Sequence, residues 1–124
     1  MKELGTLNRQ QAFGALRATL HVLRDRIGIN NAAHLGAQLP MLLRGAFYEN
    51  WHPAGTPTRE RHLDDFLSHL AETLPRGLPI EPEDAARASL AALAECVDPS
   101  EAVKIAKLLP VEIRDLFPHD LIKL

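Results

Sequence analysis

One cysteine, one tryptophan and one tyrosine occur in 124 residues. A lone Cys96 cannot close an internal disulfide, which excludes the stapled class of small secreted domains. No apolar run approaches the ~20 residues that cross a bilayer. Met1-Lys2-Glu3-Leu4-Gly5 holds no apolar stretch of signal-peptide type, so the expected location is cytoplasmic, with no membrane partner. No segment alternates apolar and polar residues with β-branched enrichment, so no strand is expected. Glycine-rich phosphate loops, nucleophile elbows and Cys-x-x-Cys pairs are all missing. Asp64-Asp65 and Glu83-Asp84 are adjacent in sequence. Neighbours on a helix point in different directions, so neither pair makes a general acid/base couple. With nothing to act as a catalytic cluster, the expectation is a protein that is not an enzyme and needs no cofactor.

Net charge is −2, too small for a global polyelectrolyte attraction. Its distribution is uneven. Residues 1–62 carry eight Lys/Arg against four Asp/Glu, and residues 63–124 carry six against twelve. The basic first half contains Arg9, Arg17, Arg24, Arg26, Arg44, Arg59 and Arg61, but no recognition-helix motif, so nucleic-acid binding is the weakest of the binding readings. Opposite-signed halves could also favour head-to-tail association, although two solvated faces explain them more simply.

What the chain does have is a repeat. Residues 17–47 align without a gap on residues 87–117, and nine of the thirty-one pairs are identical. Arg17-Ala18-Thr19-Leu20 meets Arg87-Ala88-Ser89-Leu90, Leu39-Pro40 meets Leu109-Pro110, Arg44 meets Arg114 and Phe47 meets Phe117. A repeat of this length means one helical unit used twice, each copy covering the apolar face of the other. The expected architecture is a single all-α domain over 1–124, a bundle of six or seven helices with no β-sheet. It is built from tandem repeats at about residues 8–51 and 59–118.

Phe13, Leu16, Leu20, Leu23 and Ile27 recur at spacings of three and four, which predicts a helix over 8–27 with an Asn8/Gln11 capping box and Gly28 after its end. Its copy runs from Pro82 to about Val97. A shorter helix then leads into each Leu-Pro, where the proline forces a break, and a last short helix follows. In the second copy Asp98-Pro99-Ser100-Glu101 supplies the helix start. Residues 52–58 are a loop, and 59–74 form a further amphipathic helix with Leu63, Phe66, Leu67, Leu70 and Leu74 inward. Leu20, Leu23, Leu39, Leu43, Leu67, Leu90, Leu93, Leu109 and Ile113 are the expected core. The 59–74 helix has no counterpart ahead of the first copy. An apolar face around Phe13, Leu16 and Leu20 is then left for the second copy, or a symmetric partner chain, to cover.

Together, residues 15–27, Ala37-Gln-Leu-Pro-Met-Leu-Leu-Arg-Gly45, Tyr48-Glu-Asn-Trp51, Arg61-His62 to Phe66-Leu67, and Leu109-Pro110 to Phe117-Pro118 resemble a bacterial family, DUF2267. The resemblance covers nearly the whole chain. It implies an all-helical fold with an internal duplication, commonly preceded by one more helix, and it assigns no activity and no site residues.

Candidate sites must therefore come from the residues. Arg44, Phe47, Tyr48, Trp51 and His52 concentrate aromatics beside an arginine and a histidine, the composition of an interface or ligand pocket. The competing reading is a helix end closing over the core. His62, Asp65 and His69 lie on one side of the expected 59–74 helix and could contribute to a metal site, though a fourth ligand is missing. The paired arginines Arg17/Arg87 and Arg44/Arg114 read as structural, and Cys96 as a buried or half-buried, inert thiol. The functional expectation is a non-catalytic protein-interaction module, homodimeric or with another protein partner. A small-ligand or metal-binding protein is the alternative.

Overall fold

The computed structural model describes residues 7–52 and 57–122, and among these it contains helices and no strand. Eight helical segments follow in order: α1 (Arg9–Ile27), α2 (Ile29–Gln38), α3 (Met41–Tyr48), α4 (Leu63–Thr73), α5 (Pro82–Cys96), α6 (Pro99–Leu108), α7 (Val111–Arg114) and α8 (His119–Ile122). That is one or two more than expected, because α7 and α8 are separate single turns. Most of the expected 52–58 loop and the segment 1–5 lie outside the described residues.

Local chemistry sets the boundaries. Asn8 accepts from the Gln11 amide at 2.8 Å, while the Gln11 side chain accepts from the Asn8 amide at 3.1 Å. This reciprocal pair satisfies two of the amides left open at the start of α1. Gly28, at φ 90°, turns directly from α1 into α2, in a conformation that other L-residues rarely adopt. Leu39 and Leu109 both leave the helical region, at ψ 145° and 150°, as the following proline requires. Asp98 begins α6 without a side-chain cap, and Pro99 fills the first turn.

The fourth helix departs from expectation by starting at Leu63 rather than near residue 59. The preceding chain is held extended from outside. The Thr58 amide donates to Asp25 O at 2.7 Å, and Arg26 Nε donates to Glu60 O at 2.8 Å. The Glu112 carboxylate then accepts from the Leu63 amide at 3.0 Å, supplying from α7 the cap that His62 does not provide.

The two Leu-Pro corners are built alike. Arg44 Nε donates to Gly36 O, and its Nη2 donates to the carbonyls of Ala37 and Leu39. Arg114 Nε donates to Ala106 O, and its Nη2 donates to the carbonyls of Lys107 and Leu109. Every donor and acceptor in one set lies seventy residues from its counterpart. Each guanidinium fork gathers carbonyls of the broken helix end, of which Gly36 O and Ala106 O also accept the Leu39 and Leu109 amides.

The long helices α1 and α5 pack against each other, and α4 packs against both. One apolar cluster contains Leu20, Leu23, Leu39 and Phe47 from the first half with Phe66, Leu90, Leu109, Ile113 and Phe117 from the second. Leu20 and Leu90 thus share one interior. Of the expected core, Leu43 and Leu67 are only half-buried. Leu43 lies at the edge of the cluster, while Ala46 and Phe47, one turn on, are buried. Cys96, expected to be buried or half-buried, is exposed at the last position of α5, where the helix has run past the core.

Candidate functional site

The aromatic segment is a packing cluster at the α2–α3 corner. Phe47 is wholly buried, so it belongs to the core and not to a surface. Its ring meets Tyr48 edge-on at 5.3 Å, and Tyr48 stacks on Trp51 at 5.4 Å. The Tyr48 hydroxyl donates to Ala33 O at 3.3 Å, and its ring covers Gly36 so closely that a Cβ there would overlap the phenol. Trp51 Nε1 is buried without a hydrogen-bond partner among the described residues. Arg44 folds back onto α2, as described above. His52 Nδ1 bonds Asn50 O at 2.9 Å. Of the five residues, Arg44 and His52 are exposed, and Arg44 is engaged in capping.

His62, Asp65 and His69 do not converge. His62 precedes α4 and bonds Glu112 Oε2 through Nδ1 at 3.1 Å. His69 Nδ1 lies 3.3 Å from Glu60 Oε2, within ion-pair reach but not aligned as a hydrogen bond. Asp65 is exposed on the first turn of α4. Among the described residues no group of three His, Cys, Asp or Glu side chains is placed to hold a metal ion.

The first-half arginines are dispersed rather than gathered on one basic face. Arg24 is 4% exposed, donating through Nη1 to Phe47 O at 2.9 Å and Glu49 O at 2.7 Å while pairing with Asp25. Its burial was legible, since Leu20, Leu23, Arg24 and Ile27 follow the i, i+3, i+4, i+7 stripe. Arg26 is half-buried against Glu60, and Arg17 lies 3.5 Å from Glu49.

Arg17 and Glu49 stand beside a feature that the sequence reading did not single out. The N-terminal half of α1 and the outer face of α3 enclose an open groove of about 680 Å³, lined by Phe13, Arg17, Met41, Leu42, Gly45, Ala46 and Glu49. Met41 is 88% and Leu42 72% exposed. Of the face anticipated around Phe13, Leu16 and Leu20, the first two are half-buried and Leu20 is buried; the exposed bulk comes from α3 instead. The signal was the helical period. Leu43, Ala46 and Phe47 occupy one side of α3, which turns Leu42 outward. Behind the groove, His21 donates through Nε2 to Ala46 O at 2.6 Å, and burial holds its imidazole below the usual histidine range.

Seventy residues later the same places hold Glu83, Arg87, Val111, Glu112, Asp115, Leu116 and His119. There Arg87 pairs with Glu83 at 3.0 Å and Asp115 at 3.2 Å, and His119 pairs with Asp115 at 2.9 Å. The Arg87 hydrogen bond draws the Asp115 carboxyl below its ordinary range. Glu112 also lies low, chiefly because it accepts from the Leu63 amide, and its hydrogen bond raises the His62 imidazole. The start of α4 therefore sits on Glu112, whereas the corresponding Leu42 carries no such cover among the described residues.

These features define an all-helical chain with breaks at two Leu-Pro corners and an apolar groove at one end. The chain belongs to the DUF2267 family, described as an uncharacterized conserved protein, whose pattern matches residues 1–116. No curated protein matches the chain. No helix among the described residues is long and apolar enough to cross a membrane.

Proposed function

We propose that this chain is a non-catalytic protein-interaction module and that its receiving surface is the α1–α3 groove. The observation that carries this reading is the exposure of Met41 and Leu42 beside Phe13. Exposed apolar side chains clustered around a concavity mark binding surfaces, whereas scattered ones do not. The groove holds one acid and one base and no pair of groups suited to proton transfer, so it supports binding rather than catalysis. An amphipathic helix or turn suits it, because Gly45 and Ala46 leave room for an inserted side chain.

A direct test uses a labelled peptide spanning residues 59–76, which contains the helix whose first turn is capped by Glu112, the counterpart of Leu42. Fluorescence anisotropy should show saturable binding that Leu42→Glu abolishes. No binding, or binding indifferent to Leu42, refutes the receiving role. The groove volume lies within the ~300–1,000 Å³ of small-molecule sites and favours, as a second reading, an apolar small ligand. A rise in melting temperature with medium-chain fatty acids, lost in Leu42→Glu, would distinguish it.

A further inference from the structure

We infer that the occupant of the α1–α3 groove is the same groove of a second copy, with the two α3 helices antiparallel across a twofold axis. The inference rests on the receiving role proposed above and adds the identity of the partner. Three observations carry it.

The first is shape. Met41 and Leu42 project from the first turn of α3, and Gly45 and Ala46 form a hollow one turn later on the same helix. Antiparallel juxtaposition about a twofold axis sets the projecting pair of each chain over the hollow of the other. A closed isologous interface has this self-complementarity.

The second is Gly45 itself. It lies inside an eight-residue helix, where glycine is unfavourable relative to alanine. Among the described residues a Cβ at this position would meet nothing within 4 Å, so no contact there requires glycine. A close-approaching surface does. Gly36, by contrast, has an internal reason in the Tyr48 ring laid across it.

The third is charge. Among the described residues the charged lining is Arg17 and Glu49, one of each sign, each about 44% exposed. A face that meets its own copy must be self-complementary in charge, and this one is. The matching face of the second half carries Glu83, Glu112 and Asp115 against the single arginine Arg87, an acidic excess that a second copy of that face would not neutralise.

Analytical ultracentrifugation of the whole chain tests the inference. The mass should rise from 13.7 kDa to twice that value and stop there as concentration increases. Leu42→Glu, which installs the residue found at position 112, and Gly45→Leu, which fills the hollow, should each weaken association roughly tenfold or more. Both should retain the helical circular dichroism of the parent, since both positions are exposed. In a Cys96→Ser background, mixing Leu42→Cys chains with Gly45→Cys chains should give a mixed disulfide in preference to either homodisulfide. A chain that stays monomeric, a mass that climbs past two chains, or a dimer indifferent to both substitutions overturns the inference. Monomers that still bind the 59–76 peptide through Leu42 would sink the self-partner and leave the receiving role standing. Monomers that do not bind it would sink both.

Discussion

Replacing Arg44 or Arg114 by alanine should cost the same stability, because each guanidinium makes the same three bonds to carbonyls at a helix end. A hydrogen bond from a charged donor contributes ~1.5–3 kcal/mol when buried. Only the Nε bond and one Nη2 bond are partly buried in each set, and the third is exposed. Solvent screening discounts the total to about 1–2 kcal/mol per arginine. Lysine has a single ammonium and cannot place two nitrogens on three carbonyls, so Arg44→Lys and Arg114→Lys should recover less than half. Urea denaturation followed by circular dichroism reads the difference as a shift in midpoint at unchanged slope. Losses below ~0.5 kcal/mol at both sites, or full rescue by lysine, would refute the capping role. A large loss at one site and none at the other would show that the matched geometry does not carry matched energy.

Three further outcomes follow from the same contacts. Gly36→Ala should destabilise by about 1–2 kcal/mol, the cost of displacing Tyr48 from Ala33 and Trp51 exceeding the helical gain, as a thermal melt will show. Phe47→Ala, which empties a fully enclosed site, should cost about 3–5 kcal/mol in the urea assay. The two histidines should act oppositely with pH in melts between pH 4 and 8. The raised His62 contributes stability that is full below its unfolded value of 6.5 and is lost as pH rises through its folded value. The lowered His21 opposes protonation, so its contribution is present above 6.5 and declines as pH falls below it. His62→Ala should flatten the alkaline decline and His21→Gln the acidic one.

The helix boundaries were legible wherever a local device set them. Asn8 with Gln11, Gly28, Pro82 and the Leu-Pro pairs each act through backbone geometry within a few residues, which a single sequence displays. The start of α4 was not, because Glu112, forty-nine residues away, supplies its cap. Phe47 was visible as an aromatic in an aromatic run, but its neighbour Ala46 and the α3 period place it inside. The groove escaped notice because its making lies in small residues. Gly45 and Ala46 announce no chemistry, and only their setting between Leu42 and Glu49 gives them meaning. Arg24 shows the converse. Its position on the apolar stripe signalled burial, yet its charge argued for the surface until the carbonyls of Phe47 and Glu49 supplied its partners.

Backbone amide shifts recorded by NMR as the concentrated protein is diluted test the groove most directly. The shifts should move at residues 13–17 and 41–49, with positions 111–119 unmoved. Movement centred on 111–119, or no movement while the mass changes, would contradict the assignment of the α1–α3 face as the binding surface.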